Sequence, residues 1–236
     1  MASTDKHGRR SIIGRSEAIL MLTLLTAIAA LPQEPAATYT NPVWAKDFPD
    51  PFVIRHEGTF YAYATQNSPD GFQVMSSPDL VHWTHHGACF RPPWADTHYW
   101  APEVVERNGR FYMTYSALNP ESKRHDIGVA VARSPLGPFE HRAVLVLGDD
   151  ANGGVIDTTV FFDTDGRAYL LYSEENPRCI VLREMAPDLM GVTQERLELI
   201  RPDRPWERGC NEAPTVLLRN GVYHLLFSVG SYESGK

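Results

Sequence analysis

The 236-residue chain contains few cysteines and no excess of basic residues. Its three cysteines, Cys89, Cys179 and Cys210, form no CxxC pair, so we expect neither a zinc site nor a disulfide framework. With 22 basic against 29 acidic residues, the net charge is -7, and the chain lacks the basic surface on which most nucleic-acid binders depend. Small metal-stabilised domains, disulfide-framed domains and nucleic-acid-binding proteins are therefore disfavoured.

A long hydrophobic run is also absent. The apolar run near the N-terminus, residues 18–31, has 14 residues, whereas a helix that crosses a bilayer needs about 20, so we expect no stable membrane span. The run is preceded by four basic residues, Lys6, Arg9, Arg10 and Arg15. This layout is typical of a secretory signal, and the pair Arg9-Arg10 also resembles a twin-arginine signal; an uncleaved anchor is the alternative. We predict a targeting segment at residues 1–37, a single domain at residues 38–236, and a secreted or periplasmic protein.

Residues that form strands and turns are abundant. The chain has 25 aromatic residues (5 Trp, 10 Tyr and 10 Phe), 18 prolines and 17 glycines, and 43% of its residues are hydrophobic. Four segments share one plan, a β-rich run, a turn with glycine and a second β-rich run. The turn glycines are Gly58, Gly109, Gly166 and Gly221, spaced by 51, 57 and 55 residues. Each segment is therefore predicted to be a β-hairpin.

Further strands follow the hairpins. Residues 71–77 and 126–134 alternate as strands do, and each run leads into a Ser-Pro turn. Residues 179–185 supply a third copy of this strand. One repeat thus comprises about four strands in 50 to 57 residues, which is typical of a β-propeller blade. We predict an all-β propeller; a β-sandwich with hairpins of accidental similarity is the alternative.

Acidic residues recur at the entry to the first strand of a blade. Asp50 lies eight residues before its turn glycine, and Asp157 and Glu212 lie nine before theirs; the second repeat has Ala101 there, with Trp100 beside it. Each acid alone is explained by a turn, a strand end or a solvated loop. Because the first strands of all blades line the central channel, their shared place predicts instead that the three carboxyls face one another at the channel mouth.

Four motifs follow one another at blade spacing. They are Phe48-Pro49-Asp50-Pro51-Phe52, Tyr99-Trp100-Ala101-Pro102-Glu103-Val104, Val155-Ile156-Asp157-Thr158-Thr159 and Asn211-Glu212-Ala213-Pro214. Together they resemble the motifs of glycoside hydrolase family 43, and the resemblance covers about residues 41–232. In the third motif the residue after the aspartate is commonly proline in that family, whereas Thr158 stands here.

The resemblance implies a five-bladed β-propeller that hydrolyses glycosidic bonds with inversion. Its substrates would be arabinan, arabinoxylan or xylan-derived oligosaccharides. By motif, Asp50 resembles the general base, Glu212 the general acid, and Asp157 the acid that orients the general acid and tunes its pKa. Inversion needs two carboxyls about 6.5 to 9.5 Å apart, and a neighbouring carboxylate keeps the acid protonated. The chemistry needs no cofactor; the family often holds an ion such as calcium in the channel, but no residue here can be assigned to it.

Two aromatic residues are candidates for sugar binding. Trp100 can present its indole face to the C–H groups of a sugar ring, and Phe48 is the second candidate; packing between blades is the alternative role of Trp100.

Two other functions compete with hydrolysis by inversion. A carbohydrate-binding propeller without catalysis would not need the three acids. A related five-bladed enzyme that acts on fructans with retention usually shows an Asn-Asp-Pro opening, whereas this chain has Pro49-Asp50-Pro51.

The length of the chain bears on whether the propeller is complete. At 51 to 57 residues per blade, five blades need about 270 residues, and residues 38–236 supply three blades and part of a fourth. We therefore expect a C-terminally truncated propeller.

Overall fold

Almost every regular element of the protein is a β-strand. A computed structural model describes residues 38–66 and 70–230, and in this part of the chain the single helical element is a 3₁₀ turn, Pro205–Glu207. The all-β prediction is confirmed. The predicted targeting segment, residues 1–37, lies outside the described residues. Within the described ranges no helix is both long and apolar enough to cross a membrane.

In the described part of the chain the strands form four antiparallel sheets, each in simple meander order. Three sheets are complete four-stranded blades, and the fourth has two strands. Blade 1 comprises β1 (Phe52–His56), β2 (Thr59–Ala64), β3 (Phe72–Ser77) and β4 (Thr84–Phe90). Blade 2 comprises β5 (Tyr99–Arg107), β6 (Arg110–Leu118), β7 (His125–Ala132) and β8 (Glu140–Val146). Blade 3 comprises β9 (Val155–Phe162), β10 (Ala168–Glu175), β11 (Arg178–Glu184) and β12 (Leu197–Ile200), and blade 4 comprises β13 (Asn211–Arg219) and β14 (Val222–Val229).

The four predicted hairpins are all present, but one has a longer turn. In blades 1, 2 and 4 two residues with positive φ join the strands, as in Asn108-Gly109 with φ of 54° and 69°. This pair of left-handed residues matches the twist of the flanking strands. In blade 3 the strands pair at Phe162 and Ala168, so five residues, 163–167, form the turn. The longer turn shifts Gly166 relative to the strand before it.

The first strand of each blade faces the first strand of the next. Strand β1 contacts β5, β5 contacts β9, and β9 contacts β13. The inner strands therefore surround one axis, and the loops that enter them lie at the same end of the channel.

Apolar side chains fill the space between successive blades. One buried cluster joins blades 1 and 2 and is rich in aromatic rings; Phe72 and Tyr115 meet edge to face with centroids 5.4 Å apart. A second cluster joins blades 2 and 3 and is mostly aliphatic, with Ile127, Val129 and Leu170 fully buried. These contacts fix the angle between blades and thereby the positions of the inner strands.

We expect Leu170→Ala to lower the free energy of unfolding by about 2 to 5 kcal/mol, because it leaves a cavity between blades 2 and 3. Urea denaturation followed by intrinsic fluorescence measures this change. The matched control is Leu197→Ala in the same blade, where the side chain is 55% exposed and the change should stay within about 0.5 kcal/mol. Equal losses in both variants would contradict the assignment of this cluster as core.

Candidate active site

A residue with left-handed φ recurs at the entry to every inner strand, and in blades 2, 3 and 4 it lies in a β-bulge. The residues are Asp50, Ala101, Asp157 and Ala213, with φ of 48°, 40°, 55° and 53°. The strand registers shift by one residue at this place in blades 2, 3 and 4. Left-handed φ is uncommon outside glycine, and bulges near active sites re-aim side chains. The bulge thus turns equivalent residues of successive blades toward the channel mouth.

The bulges refine the expected alignment of the three acids. Asp50 and Asp157 occupy equivalent left-handed positions, but Glu212 lies one residue earlier, in register with Trp100, and Ala213 takes the left-handed position. Counting back from the turn glycine had paired Asp157 with Glu212, because the turn of blade 3 is longer. The three acids therefore enter the channel mouth from two positions of the repeat.

A cavity of about 210 Å³ lies where the four inner strands meet. Three carboxyl side chains line it, from Asp50, Glu103 and Asp157, and the fourth blade contributes Ala213 and neighbouring residues. Glu212 precedes Ala213 directly. Asp50 of blade 1 and Asp157 of blade 3 therefore line the cavity. Glu212 of blade 4 is not among the lining residues, but it lies close enough to Asp157 for its charge to add to the burial that raises the pKa of that acid.

Asp50 is exposed and is held by one hydroxyl. The Thr65 hydroxyl donates to Asp50 Oδ2 at 2.5 Å and accepts from the backbone N–H of Ala101 at 2.9 Å. Thr65 therefore links the entry loop of blade 1 to the bulge of blade 2. The resulting bond fixes one carboxylate oxygen, so the other can face a bound molecule.

Asp157 is the most electrostatically perturbed of the three predicted acids. Burial, together with the negative charges of Glu212 and Asp50, raises its pKa to about 7. A hydrogen bond from the backbone N–H of Ala213 to Oδ2, 3.1 Å long, and the positive charge of Arg178 act in the opposite direction. Asp157 therefore exchanges its proton near neutral pH, and it holds the peptide that follows Glu212.

Glu212 is paired with an arginine from blade 3. Arg178 Nη1 donates to Glu212 Oε2 at 2.9 Å and to Cys210 Sγ at 3.2 Å. The Glu212 side chain is 18% exposed, so this ion pair is partly shielded from water. Blade 3 thus holds the start of β13 at two points, through Arg178 and through Asp157.

Glu103 is a fourth carboxyl that sequence reasoning did not assign to the site. Burial raises its pKa to about 8, the charge of Asp157 adds to this, and a hydrogen bond with Thr159 offsets part of it. Its signal in the sequence was an acid between Pro102 and Val104, inside the otherwise apolar residues 99–105 that form the first part of β5. Glu103 carries a proton at neutral pH and does not add a full charge to the channel.

The two predicted sugar-binding aromatics lie outside the residues that line this cavity. Trp100 is half-buried and stacks on the imidazole of His125 with ring centroids 4.0 Å apart. His98 meets Trp100 edge to face at 5.5 Å. Phe48 is half-buried and lies two residues before Asp50.

Residues 38–66 and 70–230 provide no group of three or more His, Cys, Asp or Glu side chains arranged to hold a metal ion. No step of the chemistry is assigned to a channel ion.

The family model for glycosyl hydrolases family 43 matches residues 39–236, nearly the whole described domain. The chain belongs to glycosyl hydrolase family 43. The fold prediction is confirmed with it: the sheets are blades of the family's five-bladed propeller. A crystal structure of a thermostable family-43 glycoside hydrolase superimposes with a TM-score of 0.75 and 34% identity, over 83% of this chain and 68% of that one.

Curated family 43 relatives differ in the activity that their names give. A β-D-galactofuranosidase from Aspergillus niger is 31% identical over 81% of this chain and 59% of its own length. Extracellular endo-α-(1→5)-L-arabinanase 1 from Bacillus subtilis is 27% identical over 76% of this chain and 58% of its own length. The chain thus spans less than two thirds of the length of these two relatives.

The buried acids of this family 43 site predict that stability falls as the pH rises. The pKa of Glu103 is raised from 4.5 to about 8, so the folded chain binds this proton more tightly than the unfolded chain does. The contribution of protonated Glu103 to the free energy of unfolding is complete below pH 4.5 and is lost as the pH rises to about 8. Urea titrations across this range should show the decline, and Glu103→Gln should make it shallower.

The exposed loop acid Glu121, as Glu121→Gln, is the control for this measurement. Asp157, whose pKa is raised from 3.8 to about 7, acts in the same direction. The stability of Glu103→Gln should therefore still decline somewhat as the pH rises. A pH dependence that is identical in Glu103→Gln and Glu121→Gln would refute a protonated Glu103.

Proposed function

We propose that this family 43 chain hydrolyses glycosidic bonds with inversion of the anomeric centre. The observation that carries the proposal is the convergence of three acids: Asp50 and Asp157 line one cavity, and Glu212 lies close enough to Asp157 for its charge to affect the pKa of that acid. Inverting glycosidases need two carboxyls on opposite sides of the scissile bond, with room for a water molecule between one of them and the sugar. Carboxyls on separate blades of a rigid propeller can keep such a separation.

In this proposal Asp50 is the general base. It is exposed, so water can reach it, and the Thr65 bond holds one of its oxygens. Its carboxylate removes a proton from the attacking water as that water bonds to the anomeric carbon.

Glu212 is proposed as the general acid, assisted by Asp157. Glu212 donates its proton to the oxygen of the leaving sugar as the glycosidic bond breaks. Asp157 bonds the N–H of the next residue and so orients the start of β13. Burial and the negative charge of Glu212 raise the pKa of Asp157, so the affinity of Asp157 for its proton depends on the charge of its partner acid.

The proposed substrates are oligosaccharides derived from arabinan, arabinoxylan or xylan. The names of the relatives support this class, since they include endo-arabinanases and a β-xylosidase. Trp100, and Phe48 beside the entry to β1, are the proposed sugar-binding aromatics. The basic and apolar segments of residues 1–37, and the extracellular relatives, support a secreted or periplasmic location.

We expect Asp50→Asn and Glu212→Gln each to lower kcat/KM by about 10² to 10⁴, because each removes one proton-transfer group. Aryl α-L-arabinofuranoside, aryl β-D-xyloside and debranched arabinan form the substrate panel, with aryl β-D-galactofuranoside added for the fungal relative. Asp47→Asn, an exposed acid three residues before Asp50, is the control and should keep wild-type rates. Wild-type rates in Asp50→Asn or Glu212→Gln would rule out the assigned roles.

The stereochemistry is open to a separate measurement. ¹H NMR of the first-formed sugar, recorded before mutarotation, should show the anomer opposite to that of the substrate. A first product with the substrate's configuration would mean that an enzyme carboxylate attacks the sugar directly, and the inverting mechanism would be abandoned.

A further inference from the structure

The indole of Trp100 has a built support behind it. The ring of His125 lies nearly parallel to it, at an interplanar angle of 28° and a centroid distance of 4.0 Å. Only 7% of His125 is exposed, so the imidazole is part of the protein interior. A parallel ring contact of this kind restrains the plane of a half-buried indole.

His125 is itself restrained by blade 3. It is the first residue of β7 in blade 2, and its Nδ1 lies 3.6 Å from Glu175 Oε2 at the end of β10. The backbone N–H of Glu175 donates to the carbonyl of Gly154 at 2.9 Å. The support behind Trp100 therefore crosses from one blade to the next.

Gly154 makes room for this arrangement. A Cβ atom at this position would lie 2.0 Å from Glu175 Oε2, and its φ of +155° is strained for other residues. Three residues further along the chain is Asp157, in β9. A continuous set of contacts thus connects the strand that carries Asp157 to the plane of Trp100.

We propose that His125 is a positioning residue for sugar binding, which fixes the Trp100 indole in the orientation that stacks on a neutral furanose or pyranose ring. The proposal rests on the proposed function, since it takes Trp100 as the sugar-binding aromatic. His125 acts through Trp100 and does not itself touch the sugar. His98, whose ring meets Trp100 at 69°, closes the edge of the same cluster.

A double-mutant cycle tests this relation, with His125→Ala, Trp100→Ala and the combined variant in the full chain. Titration calorimetry would give the affinities for arabinotriose and xylotriose. We expect His125→Ala to weaken binding about 5- to 20-fold in the wild-type background and less than about 2-fold when Trp100 is already alanine, because the effects of residues that act as a unit are not additive.

His125→Phe keeps a flat ring and should restore most of the affinity. On aryl pentosides, His125→Ala should raise KM and leave kcat nearly unchanged.

If His125→Ala weakens sugar binding equally in the wild-type and Trp100→Ala backgrounds, the proposal is overturned. A His125→Phe variant that binds as weakly as His125→Ala would also overturn it. If His125→Ala does not fold, as judged by thermal melting, His125→Leu replaces it in the cycle. Wild-type protein that binds the sugars without hydrolysing them would refute the proposed function, and the cycle would still decide the role of His125. If the protein hydrolyses the sugars but the losses of affinity in the cycle are additive, only the inference about His125 is refuted. If the wild-type protein binds neither sugar, the proposed function and this inference are both refuted.

Discussion

Apolar packing between neighbouring blades is the constraint on which the site depends. The clusters between blades 1 and 2 and between blades 2 and 3 fix the angle between the sheets, and that angle brings β1, β5, β9 and β13 around one axis. The acids are far apart in the chain and share no sheet. Their proximity is therefore a result of packing, and the large apolar area buried between blades opposes the cost of bringing like charges together.

The repeated bulge converts this scaffold into a site. A left-handed residue lies at the entry to each inner strand, and in blades 2, 3 and 4 it breaks the strand register and redirects the side chains near it. Aspartate takes this position in blades 1 and 3, and alanine takes it in blades 2 and 4. The same backbone position therefore carries an acid in blades 1 and 3. In blades 2 and 4 its small alanine leaves space for the preceding residue, Trp100 or Glu212.

The environments of the carboxyls differ although they share one channel mouth. Asp50 is exposed beside a threonine hydroxyl, Glu212 is paired with Arg178, and Asp157 and Glu103 are buried enough for their pKa values to rise to about 7 and 8. Groups of one chemical type can take different roles only when their surroundings separate their proton affinities. Here burial, which depends on contacts between blades, raises the pKa values of Asp157 and Glu103.

The sequence by itself determined the repeat, the hairpins and the all-β fold, because strand alternation and glycine turns are local properties of the chain. It also located Asp50, Asp157 and Glu212 at blade entries. Only the tertiary structure decided the register of Glu212 with Trp100, the ion pair of Arg178, the burial of Glu103 and the stacking of His125 on Trp100. Each of these joins residues from different strands or blades, and the five-residue turn of blade 3 had hidden the true register from a count along the chain.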